Sequence, residues 1–129
     1  MVSVIYVDTS AAMKLLVDEP ESDPLVSALT GGDYSLAASW LLHTELHCAA
    51  GRHPSVVTLS AVTTVLDAIT LIDLSRGDLM SAGTHAPLRS HDAIHLAVAL
   101  RIGADAILTY DEELAQAALA AGVQVFAPR

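Results

Sequence analysis

The sequence predicts an α/β fold: a mainly parallel central sheet of about five strands, flanked by helices. Three observations carry this. Short apolar runs rich in β-branched residues alternate with helical stretches from end to end, the pattern of parallel strands joined by helical crossovers. The chain has 129 residues, 53% of them hydrophobic, enough to bury a core without covalent staples. Glycines stand where helical spacing stops, at Gly31-Gly32, Gly51, Gly103 and Gly122, as helix ends require.

In order, residues 2–7 form a short apolar run read as a buried strand. Thr9 and Ser10 are good helix-capping types, and 11–17 follows as a helix. Residues 18–24 hold two prolines and four acids and read as a loop or helix start, with helix continuing over 25–29. Residues 35–39 are a weak strand, 40–50 a helix ended by Gly51, and Pro54 opens a helix to about Ala68. A short strand over 71–74 and a helix over 78–85, broken by Pro87, come next. Ser90-His91-Asp92 opens the clearest helix, 93–102, whose apolar residues fall on nearly every side, so it is read as buried. A strand over 106–109, a helix over 111–121 and a last strand over 123–126 complete a single domain spanning 1–129, with no repeat or interdomain linker.

Composition narrows the class. No run approaches the roughly 18 apolar residues of a membrane span, and the start MVSVIYVDTS lacks the basic region of a signal peptide. Cys48 is the only cysteine, so no internal disulfide forms and a reducing cytoplasm is expected. It lacks a nucleophile motif and is read as a buried structural thiol. The net charge of −9 argues against a simple nucleic-acid binder. A divalent cation removes the objection, because it becomes the largest local charge. Lys14 is the sole lysine and the arginines are Arg52, Arg76, Arg89, Arg101 and Arg129. Any grip on phosphate falls to these, the metal and backbone amides; Arg52, Lys14 and Arg89 are the substrate-binding candidates.

Four carboxylates stand out. Ligands of open parallel sheets bind beyond the carboxyl ends of the strands. Asp8 directly follows the first strand, and Asp111 lies two residues past the strand 106–109. A charge at the edge of a buried sheet is costly unless used. Asp92 competes with a plainer reading, an acid offsetting the dipole of a helix start. Asp111 likewise falls inside a capping box spaced by Thr109 and Glu112. Glu45 sits mid-helix among Leu42, Cys48 and Ala49, where a solvent-facing glutamate is the common case. Hard cations such as Mg²⁺ or Mn²⁺ take oxygen ligands from a few such carboxylates, and they serve phosphodiester hydrolysis by stabilising charge, activating water and steadying the leaving oxygen.

Other patterns fail. His43 and His47 share a helix face, but Glu45 lies about 200° round from His43, so this is not the HExxH of zinc proteases. A zinc built from this pair plus His91 and His95 is the weaker reading; His95 is expected beside Asp92, hydrogen-bonding within the site. There is no GxGxxG or Walker A sequence.

These residues also carry a resemblance. VIYVDTSAAMKL at the start and TELHCAAGR around Glu45 and Arg52 resemble PIN-domain proteins. RSHDAIHLAVAL is similar to the signature of VapC-type toxins, and AILTYDEELAQAA followed by AGVQVFAP resembles the family's end. The likeness covers essentially the whole chain. It implies an RNA endonuclease dependent on Mg²⁺ or Mn²⁺, acting as the toxin of a toxin–antitoxin pair, commonly dimeric and silenced by a cognate antitoxin. It carries catalytic and metal-binding roles onto Asp8, Glu45, Asp92 and Asp111. Thr9 or Ser10 would support the first acid, Thr109 the site from the strand end, and Glu112 could share or replace the role of Asp111. The rival from another class is a PIN-like RNA- or protein-binding module that does not cut. A phospho-acceptor receiver would need a late lysine, and a haloacid-type phosphatase an aspartate where Ser10 stands.

Overall fold

The computed structural model describes residues 2–129; Met1, the first residue of the domain expected over 1–129, lies outside them. The elements run β1 (Ser3–Val7), α1 (Thr9–Leu16), α2 (Ser22–Gly31), β2 (Tyr34–Ser39), α3 (Trp40–Arg52), α4 (Leu59–Asp67), β3 (Thr70–Ile72), α5 (Arg76–Ala82), α6 (Ser90–Arg101), β4 (Ala106–Leu108), α7 (Glu112–Ala120) and β5 (Gln124–Phe126). The five strands form one sheet, ordered β3-β2-β1-β4-β5 and parallel at every pairing. β1 is central and pairs with β2 on one side and β4 on the other. The strand order therefore switches at β1 and β4, which places a crevice at their carboxyl ends.

The core explains why the strands read as continuous apolar runs. Ile5, Tyr6 and Val7 of β1 and Ile107 and Leu108 of β4 are buried, as strands covered by helices on both faces must be. α6 buries seven residues, Asp92, Ala93 and His95 through Ala99; it is the buried helix that its all-round apolar pattern predicts. Gly103 and Gly122 adopt φ of 64° and 88°. Each follows a helix whose last carbonyls are satisfied from beyond, by Gly103 and Ala104 after α6 and by Gly122 and Val123 after α7, a Schellman closure that favours glycine.

Several boundaries differ from expectation. α1 is capped by Asp8, whose side chain accepts from the Ala11 amide, rather than by Thr9 or Ser10. Gly51 does not end α3, which runs to Arg52. Pro54 starts no helix; residues 54–57 form turns and α4 begins at Leu59, capped by Thr58. A capping box between Ser75 and Asp78 starts α5 at Arg76, two residues earlier than predicted. Cys48 is exposed, not buried. Leu42, Leu46, Ala49 and Ala50 take the inward face of α3, and Cys48 follows Leu46 by about 200° of helix, which turns it outward.

Candidate active site

β1 and β4 deliver the first and last acids to the crevice. Asp8 follows β1 and is 2% exposed. Both of its oxygens are engaged. The Ser10 hydroxyl donates to Oδ1 and Oδ2 at 2.8 and 2.9 Å, the Ala11 amide to Oδ1 at 2.9 Å, and the Thr109 hydroxyl to Oδ2 at 2.6 Å. Burial nonetheless pushes the Asp8 carboxyl above its usual range, against the hydrogen bonds that hold it down. Ser10 also accepts from the Tyr110 amide at 2.9 Å, and Thr109 from the Asp111 amide at 3.0 Å. Two hydroxyls thus lock the segment after β4 to the segment after β1.

Asp111 caps α7 by accepting from the Leu114 amide through Oδ1 at 2.9 Å. Its Oδ2 stands 3.7 Å from Nη2 of Arg89. Asp92 is the third residue of α6, whose N-cap is Arg89. It is buried yet accepts no hydrogen bond among the described residues; its nearest basic neighbours are His91 Nε2 at 3.4 Å and Arg89 Nη2 at 3.8 Å. Burial pushes the Asp92 carboxyl up and the nearby Asp111 charge adds to it, against the pull of His91 and Arg89. Capping therefore explains part of Asp8 and Asp111, whereas Asp92 sits in the first turn of α6, where its charge offsets the helix dipole without a capping bond.

Glu45 comes from α3 and does not face solvent freely. Its Oε1 accepts from the Thr9 hydroxyl at 2.6 Å and from His95 Nε2 at 2.7 Å. His95 is fully buried on α6, and its Nδ1 lies 2.7 Å from the Tyr6 hydroxyl, which itself accepts from the Ser39 amide at 3.0 Å. These partners assign the protons in the neutral ring: Tyr6 donates to Nδ1, and Nε2–H donates to Glu45. Burial raises the Glu45 carboxyl, but the hydrogen bond and electrostatic attraction of the His95 imidazole and the Thr9 bond outweigh it and hold the group below its usual range. Burial drives the Tyr6 phenol up to about 12, so it stays a donor.

The four acids share one pocket of about 210 Å³, lined by Asp8, Glu45, Asp92 and Asp111 with Thr9, Ser10, Met13, Arg89 and His91. Of the other predicted residues, Thr109 and Ser10 support Asp8, whereas Thr9 supports Glu45. His95 meets Glu45 rather than bonding to Asp92. Arg89 is at the pocket rim. Arg52 lines a neighbouring pocket that shares Thr9, Met13 and Glu45. Lys14 is turned away, paired with Glu19 and Glu21 from the loop after α1, and Arg101 is tied to Asp78 at 2.6 Å. Glu112 is exposed in the first turn of α7, outside the pocket. His91 and His95 do not join His43 and His47; the latter two stack with centroids 4.1 Å apart on the outer part of α3. Sequence reasoning missed Tyr6 and Ser39. A tyrosine inside the apolar run VIYV was the available signal, because a buried phenol needs a partner.

The donors fit a hard cation. All four are carboxylates, the donor type Mg²⁺ and Mn²⁺ prefer. Oδ2 of Asp111, both oxygens of Asp92 and Oε2 of Glu45 accept no hydrogen bond among the described residues. Among those residues, no three His, Cys, Asp or Glu side chains already converge on one point; the Arg89 guanidinium stands against Asp92 and Asp111 instead.

The PIN-domain profile matches residues 5–119. The chain is 37% identical to ribonuclease VapC46 of Mycobacterium tuberculosis, over 98% of each protein. It is 36% identical to ribonuclease VapC47 of the same species, over 86% of this chain and 87% of the relative. Among solved structures, VapBC2 from Rickettsia felis, bound to a DNA fragment from its promoter, superposes with a TM-score of 0.72 at 13% identity, covering 98% of this chain and 99% of that one. VapC20 of M. tuberculosis, a toxin that cleaves the sarcin-ricin loop, also gives 0.72, at 14% identity and covering 88% and 94%. The structural likeness concerns the fold, and the sequence likeness extends through every acid-bearing segment of the pocket: the chain belongs to the PIN-domain family, among the VapC ribonucleases.

Proposed function

We propose that the protein is a divalent-metal-dependent endoribonuclease, the toxin of a toxin–antitoxin pair. The observation that carries this reading is the gathering of four carboxylates from α3, α6 and the ends of β1 and β4 into one pocket. Clustered acids in a partly dry crevice are unfavourable without a cation. The relatives named ribonuclease VapC support the reaction class, and the toxin–antitoxin assemblies among the structural neighbours support a protein partner. A basic antitoxin segment suits a chain of net charge −9, and the family resemblance adds a homodimer.

Asp8, Asp92 and Asp111 would hold Mg²⁺ or Mn²⁺, with Glu45 holding a second ion or orienting water. When bound, the cation stabilises charge on the phosphate, activates the attacking water and steadies the leaving oxygen. The chain's own groups do the positioning. Ser10 and Thr109 hold the Asp8 carboxylate in one orientation. Thr9 and His95 anchor Oε1 of Glu45 and leave Oε2 to accept from water or substrate. Arg89 and Arg52, at the rim and in the adjoining pocket, are the phosphate contacts; Lys14, already neutralised by two glutamates, is not needed for them.

The experiment is cleavage of a structured RNA by the purified protein. Cleavage should appear with Mg²⁺ or Mn²⁺, vanish with a chelator and return on adding the metal back. Equal cleavage with and without chelator would remove the metal from the account, and RNA binding without cleavage in either metal would favour a non-cutting binding module.

A further inference from the structure

Arg89 stands where a cation is wanted. It is the N-cap residue of α6, and its guanidinium, which has no acceptor, cannot cap the helix amides. Instead Nη2 lies 3.8 Å from Oδ2 of Asp92 and 3.7 Å from Oδ2 of Asp111. Neither separation is short enough for a hydrogen bond. The Arg89 side chain is 70% exposed, against 8% for Asp92 and 26% for Asp111. An exposed guanidinium therefore stands beside two more enclosed like charges at nearly equal distance. Among the described residues no other lysine or arginine pairs with either carboxylate, and His91 stands beside the other oxygen of Asp92 at 3.4 Å.

We infer that Arg89 is an internal counter-cation of the metal-free pocket, occupying the acceptor oxygens of Asp92 and Asp111 and leaving them when a divalent cation binds. This rests on the metal reading given above and adds a competition to it. Two facing carboxylates lower their repulsion by holding a positive charge between them. A singly charged group at 3.7–3.8 Å does this weakly, and its exposure weakens it further. A divalent cation bonds the same oxygens directly and repels the guanidinium. Arg89 thus lowers the metal affinity of the site, and once displaced it remains at the rim, free to meet a phosphate.

The test is Mn²⁺ binding, read from the electron paramagnetic resonance of free Mn²⁺ at low ionic strength without RNA, on the wild type, Arg89→Gln and Arg89→Lys. Arg89→Gln should bind about threefold to tenfold tighter than wild type, and Arg89→Lys, which keeps the charge, should stay near wild type. The gap should shrink in high salt. Equal or weaker binding by Arg89→Gln, or the same tightening in Arg89→Lys, would overturn the inference while leaving the metal site standing. The double variant Arg89→Gln with Asp92→Asn should lose the tight binding. If it does not, or if neither wild type nor Arg89→Gln binds Mn²⁺, the metal reading fails and takes the inference with it.

Discussion

Asp92→Asn should lower RNA cleavage by more than about 100-fold and leave the metal-free protein as stable as wild type or more so. The two effects run in opposite directions because what Asp92 gives the fold, an acid in the first turn of α6, is small beside the cost of burying its charge next to Asp111. It caps nothing and accepts no hydrogen bond among the described residues, and its charge is buried beside that of Asp111. Groups that merely orient metal ligands are worth roughly 10–100-fold, so a ligand itself should exceed that. The pH dependence follows from the direction of the shift. A carboxyl raised in the folded state penalises folding fully above its folded pKa, and the penalty is relieved as pH falls through that value toward the ordinary one. In chelator, the stability gap between Asp92→Asn and wild type should therefore be widest near neutral pH and close on acidification into the carboxylate range. Thermal unfolding against pH measures it. A variant that cleaves normally, or one that is strongly destabilised at neutral pH, would return Asp92 to a structural role.

His95→Ala should cost about 3–5 kcal/mol, from the cavity it opens and the polar groups it strands. That is a large share of the stability of a domain this size. The imidazole is fully buried and joins Tyr6 of β1, Glu45 of α3 and, at 3.2 Å, Thr9 of α1. Tyr6→Phe is the gentler probe. It leaves the Ser39 amide and His95 Nδ1 without their partner, for about 1–3 kcal/mol. It also frees His95 to turn, so cleavage should fall roughly tenfold as Glu45 loses its fixed orientation. Urea unfolding and initial rates check both variants. A change under about 1 kcal/mol for His95→Ala would mean that the chain Tyr6–His95–Glu45 does not hold the site together.

The legible part of this molecule was set by period and by strand ends. The alternation of apolar runs with helical spacing identified every strand, because parallel strands covered on both faces leave no polar alternation to confuse them. Asp8 and Asp111 were placed at the crevice for the same reason: topology alone puts the residues after β1 and β4 there. Boundaries were less legible where two local signals competed. Pro54 looked like a helix start, but Thr58 provides the side-chain cap. Glu45 was the hardest acid to read, since nothing in its own helix distinguishes it from a surface glutamate. Its partners His95 and Thr9, and Tyr6 behind His95, lie on three other elements, and a contact across so many residues has no local signature. The surroundings of Lys14 were illegible for a similar reason: the loop that follows α1 folds its own acids back onto it.

The central claim is that Asp8, Glu45, Asp92 and Asp111 form one metal-dependent site for RNA cleavage, and Asp8→Asn tests it most directly. An asparagine keeps the size of the side chain; its one oxygen can still accept from the Ala11 amide, and its NH2, in the place of Oδ2, can donate to a turned Thr109 hydroxyl, so the fold should persist. With Mg²⁺ in excess, the account predicts RNA cleavage by Asp8→Asn more than about 100-fold below wild type. Cleavage near the wild-type rate under those conditions would contradict it.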